Sequence, residues 1–254
     1  MSDATRRFSS RVAAYLRGRP AYPPALLTLL QEQCGLRPGS VVADIGAGTG
    51  LLTQGLLAAG ARVYAVEPNA AMRAAAEELL GALPGFHSVA GTAEDTGLPV
   101  CSVDLITAAQ AFHWFDPAPT RREWQRIMRP NAWAVLIWND RDDDASPLMR
   151  AYEELLQTWS IDYRQVDHRR IDAAALTTFF GAGGFAQRQL PHQQRLDWEG
   201  LRARLLSTSY VPPADDPRAE PMLAALRALF EVHQQDGAVV LHYTTRVFWG
   251  RLRP

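Results

Sequence analysis

The sequence contains no lysine: all 26 positive charges among its 254 residues are arginines, and they stand against 27 acidic residues. The formal net charge of −1 provides no excess of positive charge for the phosphate backbone of a nucleic acid. Nucleic acid is therefore disfavoured as a partner. The absence of lysine also excludes a Walker A nucleotide-binding loop, because that loop requires a lysine directly after its glycines.

Cysteine, metal-binding patterns and long apolar runs are equally scarce. The isolated Cys34 and Cys101 fit a reduced cytoplasmic protein better than a disulfide framework. The six histidines are scattered, and neither C-x-x-C nor H-E-x-x-H occurs, so we predict no structural or catalytic metal. The longest apolar run, Ala132–Trp138, is too short to span a membrane, and the first residues lack the apolar core of a signal peptide. We therefore expect a cytoplasmic protein without membrane contact.

Short apolar runs alternate with helix-like segments from residue 41 onwards. Continuous apolar strands separated by helices are typical of a parallel sheet that is buried on both faces, which predicts an α/β fold. The predicted strands of this part are Val41–Ile45, Arg62–Glu67, Phe86–Ala90, Val103–Ala109 and Ala132–Trp138. The predicted helices are Asp3–Arg17, a segment opened by Pro23 and Pro24 that runs through Cys34, Leu51–Ala59, Ala70–Leu80 and Pro117–Met128.

The pattern changes after the charged segment Arg141–Ser146. Amphipathic helices now dominate, and two long segments between or after them alternate as strands do. The predicted helices are Pro147–Trp159, Ile171–Phe180, Trp198–Thr208 and Pro221–Gln234, and the predicted strands are Phe185–Trp198 and Ala238–Trp249.

The segment Val41–Gly50, VVADIGAGTG, carries the clearest functional signal. An apolar run ends in Asp44, and glycines at alternate positions allow a tight turn against which a ligand can lie. Glu67 closes the next apolar run, where an acidic residue can accept hydrogen bonds from ribose hydroxyls. A dinucleotide fold needs G-x-G-x-x-G, but the third glycine would fall at Leu51. The pattern therefore indicates an adenosine-containing cofactor without a pyrophosphate.

This segment and four later ones resemble the class I S-adenosylmethionine-dependent methyltransferases. DIGAGTG and AVEPN are followed in the expected order by GTAEDTGLP, VDLITAAQAFHWF and RIMRPNAWAVLIWN, over about 100 residues from Val41 to Asn139. AQAFHWF, together with Tyr15 and GRPAYP, resembles the small-molecule branch often labelled type 11, which includes enzymes similar to trans-aconitate methyltransferase.

The resemblance implies a Rossmann-like methyltransferase fold. This fold is a doubly wound, mostly parallel seven-stranded sheet with an antiparallel C-terminal hairpin and a helical cap. Residues 1–40 would form N-terminal helices that cover the cofactor, and residues 41–140 would form the cofactor-binding core. Residues 141–254 would add the remaining helices and strands, with the substrate cap at about 141–180 and 198–235.

The same resemblance implies S-adenosyl-L-methionine as the cofactor and S-adenosyl-L-homocysteine as its product. The glycine loop would lie against the methionine portion, Glu67 would bind the ribose hydroxyls, and Glu94 or its neighbour Asp95 would bind adenine. Asp44 would orient the loop or meet the cofactor amino group. The residues expected to contact the cofactor are Tyr15, Asp44, Gly46, Ala47, Gly48, Gly50, Glu67, Pro68, Asn69, Met72, Thr92, Ala93, Glu94, Gln110 and Ala111.

Predictions for the methyl acceptor rest on fewer residues. His113 is the candidate general base, since the pKa of histidine lies near neutral pH, although a histidine beside aromatic residues often only packs. An anionic acceptor would need an arginine, and the candidates are Arg19 and Arg204. The residues expected to contact a substrate are Arg19, Tyr22, Trp114, Arg204 and Tyr210.

We therefore predict an enzyme, a methyltransferase that moves a methyl group to a small molecule by in-line displacement. Four alternatives remain open at this stage: an RNA methyltransferase, a protein methyltransferase, a non-catalytic S-adenosylmethionine-binding protein, and a nicotinamide or flavin oxidoreductase. The missing G-x-G-x-x-G pattern counts against the last of these. Either a monomer or a homodimer is compatible with the sequence.

Overall fold

A computed structural model describes residues 18–161, 173–208, 210–213 and 215–252. These residues form a seven-stranded sheet whose spatial order is β3-β2-β1-β4-β5-β7-β6. The strands are β1 (Val41–Ile45), β2 (Arg62–Val66), β3 (Phe86–Val89), β4 (Val103–Ala109), β5 (Met128–Arg141), β6 (Ala186–Leu196) and β7 (Val239–Gly250).

Eight α-helices accompany these strands within the described residues. They are α1 (Pro24–Cys34), α2 (Leu51–Ala58), α3 (Ala70–Leu80), α4 (Pro117–Ile127), α5 (Pro147–Trp159), α6 (Ala173–Phe180), α7 (Trp198–Leu206) and α8 (Ala219–His233). Short 3₁₀ turns occur at Phe112–Trp114 and Gly181–Gly183.

Several helices begin where a polar side chain satisfies their first backbone N–H groups. Asn69 caps α3, Asp116 caps α4, Ser146 caps α5 and Asp197 caps α7, each through a side-chain oxygen that accepts from the backbone. Such caps stabilise a helix by about 1 kcal/mol and fix where it starts. All four helices therefore begin at the residue that the sequence predicts.

The order of the strands indicates where a ligand can bind at the edge of the sheet. The strands β1 to β5 pair in parallel, and the chain reverses its direction of travel across the sheet between β1 and β4. At such a switch point the loops that follow the two central strands diverge and leave a crevice outside their carboxyl ends. The loops that begin at Gly46 and Gln110 lie at this position.

The last two strands confirm the antiparallel hairpin at the sheet edge. β7 inserts between β5 and β6 and is antiparallel to both, with Tyr243 opposite Arg141 of β5 and opposite His192 of β6. The predicted fold class, a mostly parallel seven-stranded sheet with an antiparallel C-terminal pair, is thus confirmed.

Three apolar clusters hold the fold together. On one face of the sheet, α4 and α6 pack through Trp124, Phe179 and their neighbours. The opposite face is covered by α1 and α2, with Leu26 and Leu56 fully buried. A third cluster joins α5, α7 and α8 to the first half of β7, and we call this unit the cap.

The structure differs from the sequence prediction at β5. This strand begins at Met128 rather than Ala132, and its pairing with β4 shifts register between Val103 and Leu105. Asn131 adopts a left-handed φ of 68° inside the irregular part. A proline at position 130 followed by a left-handed residue does not read as a strand, which explains the late predicted start.

Some predictions concern residues outside the described part of the chain. The helix Asp3–Arg17 lies there, and so does the start of the helix predicted at Ile171. Of residues 1–40, α1 is described, and it packs on the sheet beside β1 and α2. Within the described ranges, no helix combines the length and apolar character needed to cross a membrane. Nor do three or more His, Cys, Asp or Glu side chains of these ranges gather as a metal site would require.

Candidate functional site

The glycine loop after β1 is shaped by backbone conformations that side chains resist. Gly46, Gly48 and Gly50 have φ angles of 69°, 59° and 84°, all in the left-handed region. A Cβ added at Gly46 would lie 2.6 Å from the Cβ of Ala111, which is far inside van der Waals contact. Glycine at position 46 therefore brings the loop after β1 directly against the loop after β4.

The carboxylate of Glu67 faces this loop from the end of β2. Its Oε2 accepts a hydrogen bond from the backbone N–H of Gly48 at 2.9 Å, and its Oε1 accepts from the backbone N–H of Asn69 at 2.8 Å. Glu67 is 9% exposed, and burial raises its pKa while these two N–H donors oppose the rise. A carboxylate has about four acceptor positions, so two remain for a ligand hydroxyl pair.

Asp44 lies beneath the glycine loop and ties three elements together. Its carboxylate accepts hydrogen bonds from the hydroxyl of Thr53 in α2 at 2.7 Å and from that of Thr107 in β4 at 2.8 Å. Burial raises the pKa of Asp44 to about 6, against the lowering effect of these hydroxyls. This geometry supports the loop-orienting role, while a contact with a cofactor amino group stays a prediction.

Two residues after β2 that are predicted to bind the cofactor also have a structural role. Pro68 is exposed beside Glu67, and Asn69 is buried and caps α3 by accepting from the N–H groups of Ala71 and Met72. Met72 is buried as well. The contacts predicted for these residues with ribose and adenine stay predictions.

A hydrogen bond to the start of α4 holds the loop after β3 in place. Ala93 is buried, Thr92 is exposed, and Oε1 of Glu94 accepts from the backbone N–H of Asp116 at 3.0 Å. Asp95 is exposed, and its backbone N–H bonds to the Thr92 hydroxyl. Glu94 is thus directed at the N-terminus of α4, so an adenine amine would share this carboxylate with that backbone group.

Glu123 of α4 fixes the same loop from below. Its Oε1 accepts from the backbone N–H of Thr96 at 3.0 Å and from the Thr96 hydroxyl at 2.5 Å. Arg126 bridges this carboxylate and the carbonyl of Leu98. Burial favours the neutral acid, but the bonds from Arg126 and Thr96 outweigh it and lower the pKa of Glu123. This support could not be predicted from the sequence, because Glu123 and Thr96 lie 27 residues apart along the chain.

Gln110 follows β4 at the switch point in a conformation that costs energy. Its φ of 54° is left-handed, which is uncommon for a residue with a side chain. Its backbone N–H donates to the carbonyl of Ile137, and its Nε2 donates to the carbonyl of Asn139 at 2.9 Å. Strained residues held in this way cluster at functional sites, which agrees with the predicted position of Gln110 and Ala111 at the reactive end.

The aromatic segment after Gln110 divides between the core and the surface. Phe112 is buried against Trp138 and Phe179. The ring centroids of His113 and Trp114 lie 4.9 Å apart with the planes tilted by 46°, and Trp114 is 41% exposed. A Cβ on Gly46 would lie 3.3 Å from the ring of Phe115, so Phe115 lines the glycine loop. The roles predicted for His113 as a base and Trp114 as a substrate contact stay predictions.

The candidate substrate residues lie on the cap side of the sheet. Arg19 donates to the carbonyl of Ser207 at 3.0 Å, immediately after α7, which carries Arg204. Tyr210 is half-buried, and its hydroxyl accepts from Arg141 at 3.3 Å. Tyr22 packs instead against the cluster that contains α1 and α2. The structure thus brings Arg19 and Arg204 close together, and Tyr15 lies outside the described residues.

Sequence reasoning missed the polar residues of β7 that face the cap. Tyr243 accepts from Nε of Arg204 at 2.9 Å, and the Thr245 hydroxyl bonds to Oδ1 of Asn139 at 2.5 Å. The period-2 pattern of β7 placed both side chains on the buried face, which was a usable signal. It could not identify their partners, because these come from other parts of the chain.

Comparison with known proteins shows similarity to methyltransferases. Residues 43–136 match the family described as a methyltransferase domain. An uncharacterized methyltransferase from Mycobacterium tuberculosis is 43% identical over 141 residues, which cover 56% of this chain and 55% of that protein. An uncharacterized methyltransferase-like protein from Schizosaccharomyces pombe is 27% identical over 251 residues, which cover 97% of this chain and 96% of that protein.

A solved structure extends the similarity to the whole fold. A candidate type II methyltransferase from Anaeromyxobacter dehalogenans has a TM-score of 0.62 and 27% identity, with 93% of this chain and 99% of that chain covered. The chain spans about half the length of the mycobacterial relative that it matches. Residues 43–136 of the Rossmann-like fold are thus similar to a methyltransferase domain, and the similarity to a solved structure extends over nearly the whole chain.

Proposed function

We propose that this protein is an S-adenosylmethionine-dependent methyltransferase that acts on a small-molecule acceptor. The observation that carries the proposal is the pairing of the Glu67 carboxylate with the glycine loop at the switch point. Two acceptor positions of that carboxylate are used by backbone N–H groups, and two remain for a pair of ribose hydroxyls.

The residues present fit this cofactor better than a nucleotide with a pyrophosphate. The loop has no lysine after its glycines, because the chain contains none, and it lacks the third glycine of a dinucleotide loop. The left-handed glycines leave the backbone of the loop bare, so a ligand without phosphates can lie against it. Glu67 would hold the ribose, and the segment after β3 would hold the adenine.

When bound, S-adenosyl-L-methionine supplies an electrophilic methyl group on a sulfonium, which an acceptor can take by in-line displacement. Because the cofactor is reactive by itself, the task of the chain is to align the acceptor and to exclude water. Gln110 and Ala111 border the reactive end, and Asp44 keeps the loop in place through Thr53 and Thr107. His113 would take a proton only from a hydroxyl or amine acceptor.

A small acceptor is favoured over RNA or protein by the cap and by the charge balance. The cap helices α5, α7 and α8 lie beside the carboxyl edge of the sheet, where they can enclose an acceptor. The net charge of −1 gives no general attraction for RNA. Specificity resides in the site rather than in the fold, so the cap residues would decide which acceptor binds.

Calorimetric titration tests the cofactor assignment. Wild-type protein stripped of ligand is titrated with S-adenosyl-L-methionine and S-adenosyl-L-homocysteine, and the Glu67→Ala and Glu67→Gln variants follow. Hydrogen bonds to a charged group contribute about 1.5–3 kcal/mol each, so we expect at least about tenfold weaker binding by Glu67→Ala. Glu78→Ala, at an exposed position of α3, is the matched control and should bind as the wild type does. Absence of binding to the wild type would refute the proposal.

A further inference from the structure

The guanidinium of Arg204 is buried without an acidic partner. The residue is 4% exposed, its Nε donates to the Tyr243 hydroxyl at 2.9 Å, and its Nη1 is buried with no hydrogen-bond partner. No carboxylate among the described residues lies within ion-pair distance of it. A buried charge costs several kcal/mol unless it is paired. A buried arginine without an acidic partner therefore indicates a binding site for an anion.

A second incomplete group lies beside the first. The hydroxyl of Tyr152 in α5 is fully buried and has no hydrogen-bond partner. Burial raises its pKa, while the nearby charges of Arg204 and Arg141 oppose the rise, and the hydroxyl keeps its proton at neutral pH. Buried polar atoms are nearly always hydrogen-bonded in folded proteins. Two unsatisfied donors that interact electrostatically indicate a common acceptor that both would bind.

Arg141, another cation of this region, already has acidic partners. It bonds to Asp143 at 3.2 Å and to Glu153 at 2.8 Å, and its guanidinium lies 5.7 Å from the centre of the Tyr152 ring. Its charge is therefore balanced within the protein. Arg204, in contrast, has no carboxylate of the described residues in contact, so its single guanidinium charge suits a carboxylate group of a ligand better than a phosphate dianion.

The cluster lies just beyond the edge of the sheet at which the methyl group would be transferred. Tyr243 pairs with Arg141, which is two residues further along β5 than Asn139, whose carbonyl holds Gln110. Two residues of strand span about 7 Å, so an anion at Arg204 would hold a small acceptor within reach of the reactive end. Gly18 is linked to the cluster through Gln194. The Gln194 amide donates to the carbonyl of Gly18 and accepts from the Tyr243 hydroxyl.

We infer that Arg204 and Tyr152 form an anion subsite that holds a carboxylate group of the methyl acceptor, with Tyr243 positioning the guanidinium. The description of this anion as an acceptor rests on the proposed function. The guanidinium and the hydroxyl would donate to the two carboxylate oxygens, and the carboxylate would neutralise the buried charge. The acceptor class is therefore a small carboxylic acid anchored in the cap, with its nucleophilic atom directed at Gln110.

Matched carboxylates and amides test this subsite directly. The full chain, with and without S-adenosyl-L-homocysteine, is titrated with benzoate and succinate, with the neutral benzamide and succinamide, and with inorganic phosphate at constant ionic strength. We expect at least one carboxylate to bind the wild type about tenfold or more tightly than its amide. Arg204→Met should lose that preference, and Arg202→Met, at an exposed position of the same helix, should keep it.

Stability measurements separate the binding role from a structural one. Because Arg204 lacks an acidic partner, Arg204→Met should unfold at the same denaturant concentration as the wild type or at a higher one. Tyr152→Phe removes only the unsatisfied hydroxyl, so it should remain folded and should weaken carboxylate binding severalfold. This second variant keeps the test decisive if Arg204→Met does not fold.

Three results would overturn the inference: equal affinity for carboxylates and amides, undiminished carboxylate binding by both variants, or binding of phosphate alone. Titration with S-adenosyl-L-homocysteine on the same samples separates this failure from failure of the proposed function. If the wild type binds the homocysteine product but no carboxylate, the subsite is refuted and the methyltransferase assignment stands. If it binds carboxylates through Arg204 but not the product, the subsite stands as an anion site and the cofactor assignment fails.

Discussion

The buried carboxylate of Asp44 should make the protein less stable as the pH rises from weakly acidic to neutral. Burial raises the pKa of this group from 3.8 to about 6 in the folded protein. The folded state therefore holds the proton more tightly than the unfolded state. The stabilisation from the neutral acid is fully present below the unfolded pKa and is lost as the pH rises through the folded pKa. Asp44→Asn keeps a neutral group of the same shape and removes this dependence.

The magnitude follows from the two pKa values. A pKa difference of about 2 corresponds to about 3 kcal/mol once both states have ionised. About one third of this loss is already present at pH 4.5, so the advantage of Asp44→Asn over the wild type should grow by about 2 kcal/mol between about pH 4.5 and 7.5. Urea unfolding of both proteins across this range measures the difference in the free energy of unfolding, in which titration of all other groups largely cancels.

Asp215→Asn provides the control, because Asp215 is exposed and its substitution should leave the difference flat across the same range. A flat difference for Asp44→Asn as well would refute the reasoning. It would mean that the hydroxyls of Thr53 and Thr107 compensate the buried charge fully, so that Asp44 ionises in the folded protein as it does in water.

Further substitutions probe the two loops that the site depends on. Gly46→Ala should destabilise the protein by about 2 kcal/mol or more, because its Cβ would meet Ala111 in addition to the left-handed strain. Gly97→Ala shares the φ of 69° but meets nothing within 4 Å, so it should cost only about 1 kcal/mol, and urea unfolding of both compares them. Glu123→Gln should cost about 1–3 kcal/mol at neutral pH, since it loses charge-assisted bonds from Arg126 and Thr96. Because the pKa of Glu123 is lowered, the difference from wild type in the free energy of unfolding should shrink below about pH 4.5; a constant difference would contradict this assignment.

Local signals predicted the helices and the parallel strands well. Asp116 followed by Pro117 marks the start of α4, and Ser146 followed by Pro147 marks that of α5, because a cap and a first-turn proline act within one helical turn. The start of β5 was predicted too late, since its first residues, which include Asn131, pair with β4 only through a register shift. Such pairing depends on the neighbouring strand and leaves no local pattern.

The positions of the candidate site residues could be predicted from the sequence, but the contacts between their side chains could not. The glycine loop and Glu67 stand out in the sequence because their residue types are tied to the turn and to the strand end. The partners of Asp44 are 9 and 63 residues away, and those of Glu123 include a residue 27 positions away. The missing acidic partner of Arg204 was also beyond prediction, because a helix position does not reveal which distant side chains surround it.

The strand β7 joins two parts of the molecule that have different tasks. Its first half contributes Val239, Leu241 and Tyr243 to the cap, and its second half contributes Val247 and Trp249 to the cluster beneath the sheet. A slip of one residue would turn every one of these side chains to the other face. Helices α5, α7 and α8 can therefore diverge in sequence and accept different molecules. The strand β7 meanwhile keeps these helices in a fixed position relative to the carboxyl ends of the parallel strands. Natural variation in acceptor choice among related chains should accordingly concentrate in the cap helices and spare β7.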